Sequence, residues 1–219
     1  MKSIFQRGIG LGLITTVSLG WAHSSQDQCQ SFDNVPDNSS QIMVVTPIKG
    51  VRASVSLCQR HKGHWRRQGP VLKAVIGKQG IAAHGEKKEG DAKTPEGIFP
   101  IGTAFGTHPI AVKMDYKYIT PFDKFVDDAS SKEYNQWVVG ATTAKSYESM
   151  LIPPYEYGAV VNYNMAPPVP GSGSAIFIHV WRSDDAGTAG CIAFEKQNVL
   201  KILRWLDKNQ HPYIKISAA

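Results

Sequence analysis

Short apolar runs broken by turn-forming residues dominate this chain, and most of them repeat every second residue. Arg52-Ala53-Ser54-Val55-Ser56-Leu57 sends alternate side chains to opposite faces, the period of a strand with one buried side. Similar runs predict strands over 42–46, 52–59, 71–76, 98–101, 160–163 and 175–180, with a last one over 213–216. The 175–180 run is almost continuously apolar up to His179, as expected of a strand covered on both faces. One segment has the helical period instead. Val199, Ile202, Leu203 and Leu206 share a face, while Lys201, Arg204 and Lys208 lie elsewhere. That helix is expected to start near Glu195 and to carry Lys208 in its last turn. Residues 81–97, 103–109, 127–136 and 166–174 read as loops, and no internal repeat is visible. The pattern is that of a mainly β chain with one strong helix.

The amino terminus has a different character. Lys2 and Arg7 precede an apolar run over 9–19, and Gly20-Trp21-Ala22 supplies small residues at a cleavage point. Residues 1–22 are therefore expected to be a secretory signal peptide, cut after Ala22. The run is too short for a comfortable span, so stable membrane insertion is not expected, an uncleaved anchor being the alternative. Residues 23–40 form a polar leader rich in Ser, Gln, Asn and Asp, and 41–219 a single domain.

A hydrophobic content of 42% suffices for a core. Loss of Lys2 and Arg7 with the leader lowers the formal net charge from +6 to +4. This basicity suits an anionic surface such as a cell wall. No compact basic run interleaved with aromatics argues for nucleic acid. Export to an oxidising compartment changes the reading of the three cysteines. Cys29 and Cys58 are expected to pair and leave Cys191 free, the alternative being a bridge that includes Cys191. No HExxH helix, paired CxxC, acidic calcium loop or glycine-rich phosphate loop appears, so no metal or nucleotide cofactor is expected.

The candidate chemistry lies late in the chain. Ile176-Phe177-Ile178-His179 leads, twelve positions on, into Thr188-Ala189-Gly190-Cys191-Ile192. A cysteine attacks as thiolate and needs an imidazole or a positive dipole nearby. Gly190 allows close backbone approach, and the Gly190 and Cys191 amides are candidates for holding an oxyanion. Papain-like and NlpC-like peptidases place cysteine before histidine, opposite to the order here.

This order, with its surroundings, resembles the YkuD-type L,D-transpeptidases, bacterial enzymes that cross-link peptidoglycan. Glu89-Gly90-Asp91-Ala92-Lys93-Thr94-Pro95-Glu96-Gly97-Ile98-Phe99 is similar to the family's EGD-x-x-TP-x-G-x-F stretch. Tyr134-Asn135, the 157–164 run and the 167–177 run also match, so the likeness covers roughly 70–206. The resemblance implies a catalytic domain of mixed β-sheets with one main helix after the nucleophile. It implies Cys191 as nucleophile, His179 as base and Gly190, with Thr188 and Ala189, at the oxyanion turn.

The implied partners are peptidoglycan stem peptides, with the protein in the periplasm and a monomer expected. Hydrolysis of stem peptides by the same site is an alternative, as is a wall-binding module without catalysis. Most members carry Arg or Asn two positions after the cysteine, where this chain has Ala193. In this it resembles a proteobacterial branch associated with cross-links through L-alanine at the first stem position. Arg182 is a candidate replacement for the missing charge, and His84 and Tyr163 are candidates for contacting substrate. The mixed-sign run Glu86 to Lys93 is expected to be a solvated loop, with Asp91 shaping its turn.

Overall fold

The alternating runs become strands, and most of them join one sheet. The computed structural model describes residues 29–32 and 34–218; the expected signal peptide and the start of the polar leader lie outside these. The first half of the domain contributes β1 (Gln41–Lys49), β2 (Arg52–His61), β3 (His64–Arg67), β4 (Leu72–Val75), β5 (Ile81–Ala82), β6 (Thr94–Pro95) and β7 (Gly97–Gly106). Then come β8 (Tyr116–Tyr118), β9 (Asp123–Val126), β10 (Trp137–Val139), β11 (Tyr147–Ser149) and β12 (Tyr157–Val161). The last part holds β13 (Phe177–Val180), β14 (Ile192–Phe194), α1 (Lys196–Trp205) and β15 (Tyr213–Ile216).

Hydrogen-bonded neighbours in the ten-stranded sheet run β1-β15-β7-β12-β13-β14-β4-β2, and β1 also pairs with β2, so the circuit closes. Closure satisfies strand edges that would otherwise offer unpaired amides and carbonyls. β3 and β8 are added outside the circuit, on β2 and β7. The sheet is mixed: β1–β15, β13–β14 and β7–β8 are parallel, and its other pairings are antiparallel.

Two apolar clusters lie on opposite sides of β12 and β13. Ala159, Val161 and Ile178 join one with Val199, Ile202 and Leu203 of α1. Val160 and Phe177 join the other, with Phe105, Phe125 and Tyr155. Strand alternation thus sends successive β13 residues into different cores. The helix follows the expected stripe, and Glu195 stands at its N-cap without a side-chain capping bond. Among the described residues no helix is long and apolar enough to cross a membrane.

Two expected loops are corrected: the ends of 81–97 form β5 and β6, which pair in parallel, and 103–109 begins as strand. The 103–109 segment is strand as far as Gly106, because Ala104–Gly106 pair with β12 on one edge and β8 on the other. The region after it carries an unforeseen three-stranded sheet, β10-β9-β11. Its organiser is Asp123, only 2% exposed. That carboxylate accepts from Thr120 and from Trp137 Nε1 at 2.7 Å, and Lys117 Nζ stands 3.3 Å away. Burial opposes its ionisation, but these bonds together hold its pKa below the ordinary carboxylate value.

Cys29 and Cys58 form a disulfide with Cα atoms 5.5 Å apart, and Cys191 is free. The bridge sits in a third cluster with Ile42, Val44 and Trp65. Phe32 packs edge-on against Trp65 at 5.0 Å, tying the end of the polar leader to β3. The bridge closes a loop of 29 residues, so replacing both cysteines by serine is expected to cost about 3–4 kcal/mol in urea unfolding. An unchanged midpoint would show that the leader adds nothing to stability.

Candidate active site

The candidate nucleophile is placed by a turn pinned from several sides. Thr188 N donates to Ile76 O at 2.9 Å and Lys78 N to Thr188 O at 2.9 Å, fixing the turn to the end of β4. The Thr188 hydroxyl donates to Cys191 O at 2.7 Å and accepts from Gly190 N at 3.1 Å. Gly190 has φ +152°, and a Cβ there would stand 2.9 Å from Lys93 O, so glycine is required for the close approach. In this arrangement the Gly190 amide is engaged within the turn, not directed at an incoming carbonyl.

The sulfur sits in a protein cage. Phe177 N donates to Sγ at 3.3 Å, and Sγ in turn donates to Ala175 O at 3.3 Å. Ala175 has φ +53°, a costly conformation for a residue with a Cβ. Asn135 holds it there: its Oδ1 accepts from Ala175 N at 3.1 Å, while Nδ2 donates to Tyr163 O and Asn164 O. The Tyr134-Asn135 pair is therefore a brace for the sulfur's carbonyl partner.

His179 shares its face of β13 with Phe177 and is 7% exposed. Its Nδ1 donates to Val180 O at 2.8 Å in the tautomer that makes this bond, which leaves Nε2 as the basic nitrogen. Cys191 and His179 line one cleft of about 510 Å³. Their titration is governed by burial. Burial drives the imidazole down to about 4, with the Arg182 charge adding and the Val180 bond opposing. Burial likewise pushes the Cys191 thiol far up, helped by the Glu148 carboxylate and resisted by the Phe177 amide and Lys87. Both groups are thus neutral at rest, in keeping with a sulfur that donates to a carbonyl.

The expected site residues divide into two sets. Thr188, Ala189 and Arg182 line the same cleft as Cys191 and His179, and so does Trp181. His84 and Tyr163 do not. His84 is exposed on its turn, and Tyr163 spends its hydroxyl on Ser172 O and its ring on Phe99. Ala193 stands opposite His179 in the β13–β14 register, so a longer side chain there would project beside the imidazole. Ala193 itself is buried at the wall of the cleft.

The mixed-sign loop is corrected at one residue. Lys87 is 6% exposed, and its Nζ donates to Asp91 Oδ1 at 2.6 Å and to Lys88 O at 2.8 Å. Its stem passes close to Gly173 and Gly190. Sequence reasoning also missed Glu89, Asp127, Glu148 and Tyr155, all on the cleft wall. Glu89 accepts from Tyr134 Oη and from Ser174 Oγ. Its place in the EGD motif was the available signal; nothing in the sequence marks Glu148. Among the described residues no cluster of His, Cys, Asp and Glu is arranged to hold a metal.

A histidine whose folded pKa lies near 4 against an ordinary 6.5 makes stability depend on pH. The unfolded chain binds the proton more readily, so stability contributed by neutral His179 is present above pH 6.5 and is lost as pH falls toward 4. The loss should approach about 3 kcal/mol, on top of that from carboxylates such as Asp123. In urea titrations between pH 7 and 4.5, His179→Gln should flatten this slope. An identical slope in the variant would mean that the imidazole is not buried neutral.

The profile of the YkuD family, described as the L,D-transpeptidase catalytic domain, matches residues 53–214. No curated protein matches the chain. Among solved structures, the helical cell shape determining protein Pgp2 from Campylobacter jejuni is similar at 17% identity and a TM-score of 0.43. The match covers 83% of this chain and 48% of Pgp2, so the chain spans about half the length of that relative. With the family profile covering most of the chain, including β13, the Cys191 turn and α1, this protein belongs to the YkuD family of L,D-transpeptidase catalytic domains.

Proposed function

We propose that this protein is an exported peptidoglycan L,D-transpeptidase that cross-links stem peptides through a thioester on Cys191. The observation that carries the reading is the free cysteine and the histidine with an unengaged Nε2 in one cleft, inside the matched family domain. The Cys29–Cys58 bridge supports an oxidising compartment, consistent with the leader over 1–22 acting as a signal peptide and with a periplasmic location. Residues 41–219 are read as the catalytic domain.

A neutral thiol and a neutral imidazole set the order of events. Nε2 of His179 takes the thiol proton as Sγ attacks the amide carbonyl of a donor stem. The C–N bond breaks, the proton passes to the departing amine, and a thioester remains. The amine of a second stem then attacks the thioester and gives its proton to His179. The new amide forms as the C–S bond breaks, and the proton returns to sulfur. The energy of the first amide is conserved, so the step needs no nucleotide. Water in place of the second amine gives hydrolysis by the same route. The Phe177, Cys191 and Gly190 amides are the candidates for the oxyanion; at rest the first two face the sulfur and the third the Thr188 hydroxyl, so each would have to turn to the substrate oxygen.

Purified protein incubated with disaccharide-tetrapeptides should yield cross-linked dimers by mass, with fragmentation locating the donor carbonyl at stem position three or one. Trimmed monomers alone would assign hydrolysis. Cys191→Ala should form no acyl-enzyme. His179→Ala should lower acylation by on the order of 10²–10⁴-fold with its melting transition kept. Acylation of His179→Ala at the wild-type rate would remove the base from the reading.

A further inference from the structure

Glu148 is a partly buried carboxylate on the wall of the cleft, and among the described residues it enters no ion pair. Burial raises its pKa, as do the like charges of Asp127 and Glu89. A group so placed is costly unless a hydrogen bond fixes it. That bond comes from Tyr155, whose hydroxyl donates to Glu148 Oε2 at 2.5 Å.

Tyr155 is itself 5% exposed and closes the turn Pro153–Tyr155 just ahead of β12. Its ring meets three others edge to face: Phe177 at 5.3 Å, Phe105 at 6.0 Å and His179 at 5.3 Å. Among the described residues the imidazole, meanwhile, has a single hydrogen bond, to the carbonyl of the very next residue. One bond at Nδ1 leaves the ring free to swing about it, which would carry Nε2 away from its working position. Its register neighbour Ala193 offers only a methyl group against that motion.

We infer that Tyr155, clamped by Glu148, is a positioning residue for His179: it bears on the imidazole and keeps Nε2 aimed for proton transfer. The clamp comes from outside the barrel. Glu148 lies on β11 and pairs in register with Phe125, on the same sheet face as Trp137. Phe125 packs on Phe177 at 5.0 Å, so the small sheet is docked directly on the catalytic strand. Without that docking the carboxylate would not reach the tyrosine. The inserted sheet thereby has a role in the reaction beyond shaping one wall.

The inference rests on the acyl-transfer reading, and its test separates the two. Acylation of Cys191 by a disaccharide-tetrapeptide is followed by intact-protein mass across donor concentrations. The proteins are wild type, Tyr155→Phe, Glu148→Ala and Glu148→Gln, with melting curves for each. Loss of aim should lower the limiting acylation rate of Glu148→Ala by about 10- to 100-fold while half-saturation by the donor stays unchanged. Tyr155→Phe should be slowed in the same sense. Glu148→Gln keeps an acceptor oxygen for the tyrosine and should recover most of the rate. Wild-type rates in Glu148→Ala and Tyr155→Phe overturn the inference. So does a Glu148→Gln as slow as Glu148→Ala, because charge and not the hydrogen bond would then matter. If wild type itself is never acylated, the functional reading fails first. The clamp is then judged by ¹⁵N relaxation of the His179 ring nitrogens: Glu148→Ala should show added ring motion with the Nδ1–H form retained, and relaxation unchanged from wild type overturns it.

Discussion

The strand that carries His179 is packed on both faces, and the rest of the site follows from that constraint. Ile178 packs into the core shared with α1, while Phe177 and His179 face the aromatic cluster that contains Cys191. An imidazole on such a strand is held neutral because burial removes most of the solvation its charge would need. The same burial keeps the sulfur protonated, with Ala175 O accepting its hydrogen. A preformed thiolate–imidazolium pair, as in cysteine enzymes with strongly depressed thiol pKa values, is opposed on both sides. On the proposed acyl-transfer reading, the reaction would begin with a proton transfer that the substrate's arrival makes favourable.

Such a mechanism puts a premium on placement, and the structure supplies it by backbone means. Closure of the sheet circuit leaves β13 held between β12 and β14 along its length. Gly158 lies opposite His179, where a Cβ would stand 2.4 Å from Ile178 O and from the Phe105 ring. The nucleophile turn is tied to the end of β4 through Thr188, and the Ala175 carbonyl is braced by Asn135. Lys87, anchored by Asp91, fills the space behind Gly190 and Gly173. Asp91 is held ionised by this ammonium and by the Lys88 and Lys93 amides against the cost of burial. The matching motifs are therefore mostly scaffolding around one sulfur atom.

How much of this could be read from the sequence depended on the length and period of each element. The 52–59 run was long enough to show its alternation, the 175–180 run was marked by its nearly unbroken apolar character, and the stripe Val199, Ile202, Leu203 marked α1 without ambiguity. The three-residue strands β10 and β11 were invisible because so short a run has no period, and their cohesion comes from Asp123, a residue usually read as a turn former. The His179 and Cys191 positions were legible because a histidine in an apolar run and a glycine–cysteine turn are unusual in themselves. Lys87 and Glu148 were not. Charge patterning suggests a solvated loop for the one and nothing for the other, and only the fold reveals that each is partly or wholly buried beside the sulfur. His84 and Tyr163 looked relevant through proximity to motifs, but the loop turns the first outward and Ser172 and Phe99 occupy the second.

The claim that the resting site holds a neutral pair is tested most directly by ¹⁵N NMR of the His179 ring nitrogens as a function of pH. The account requires an imidazole with its proton on Nδ1 at neutral pH, becoming charged only near pH 4. An imidazolium spectrum at neutral pH, lost when Cys191 is replaced by alanine, would show a thiolate–imidazolium pair at rest and contradict it.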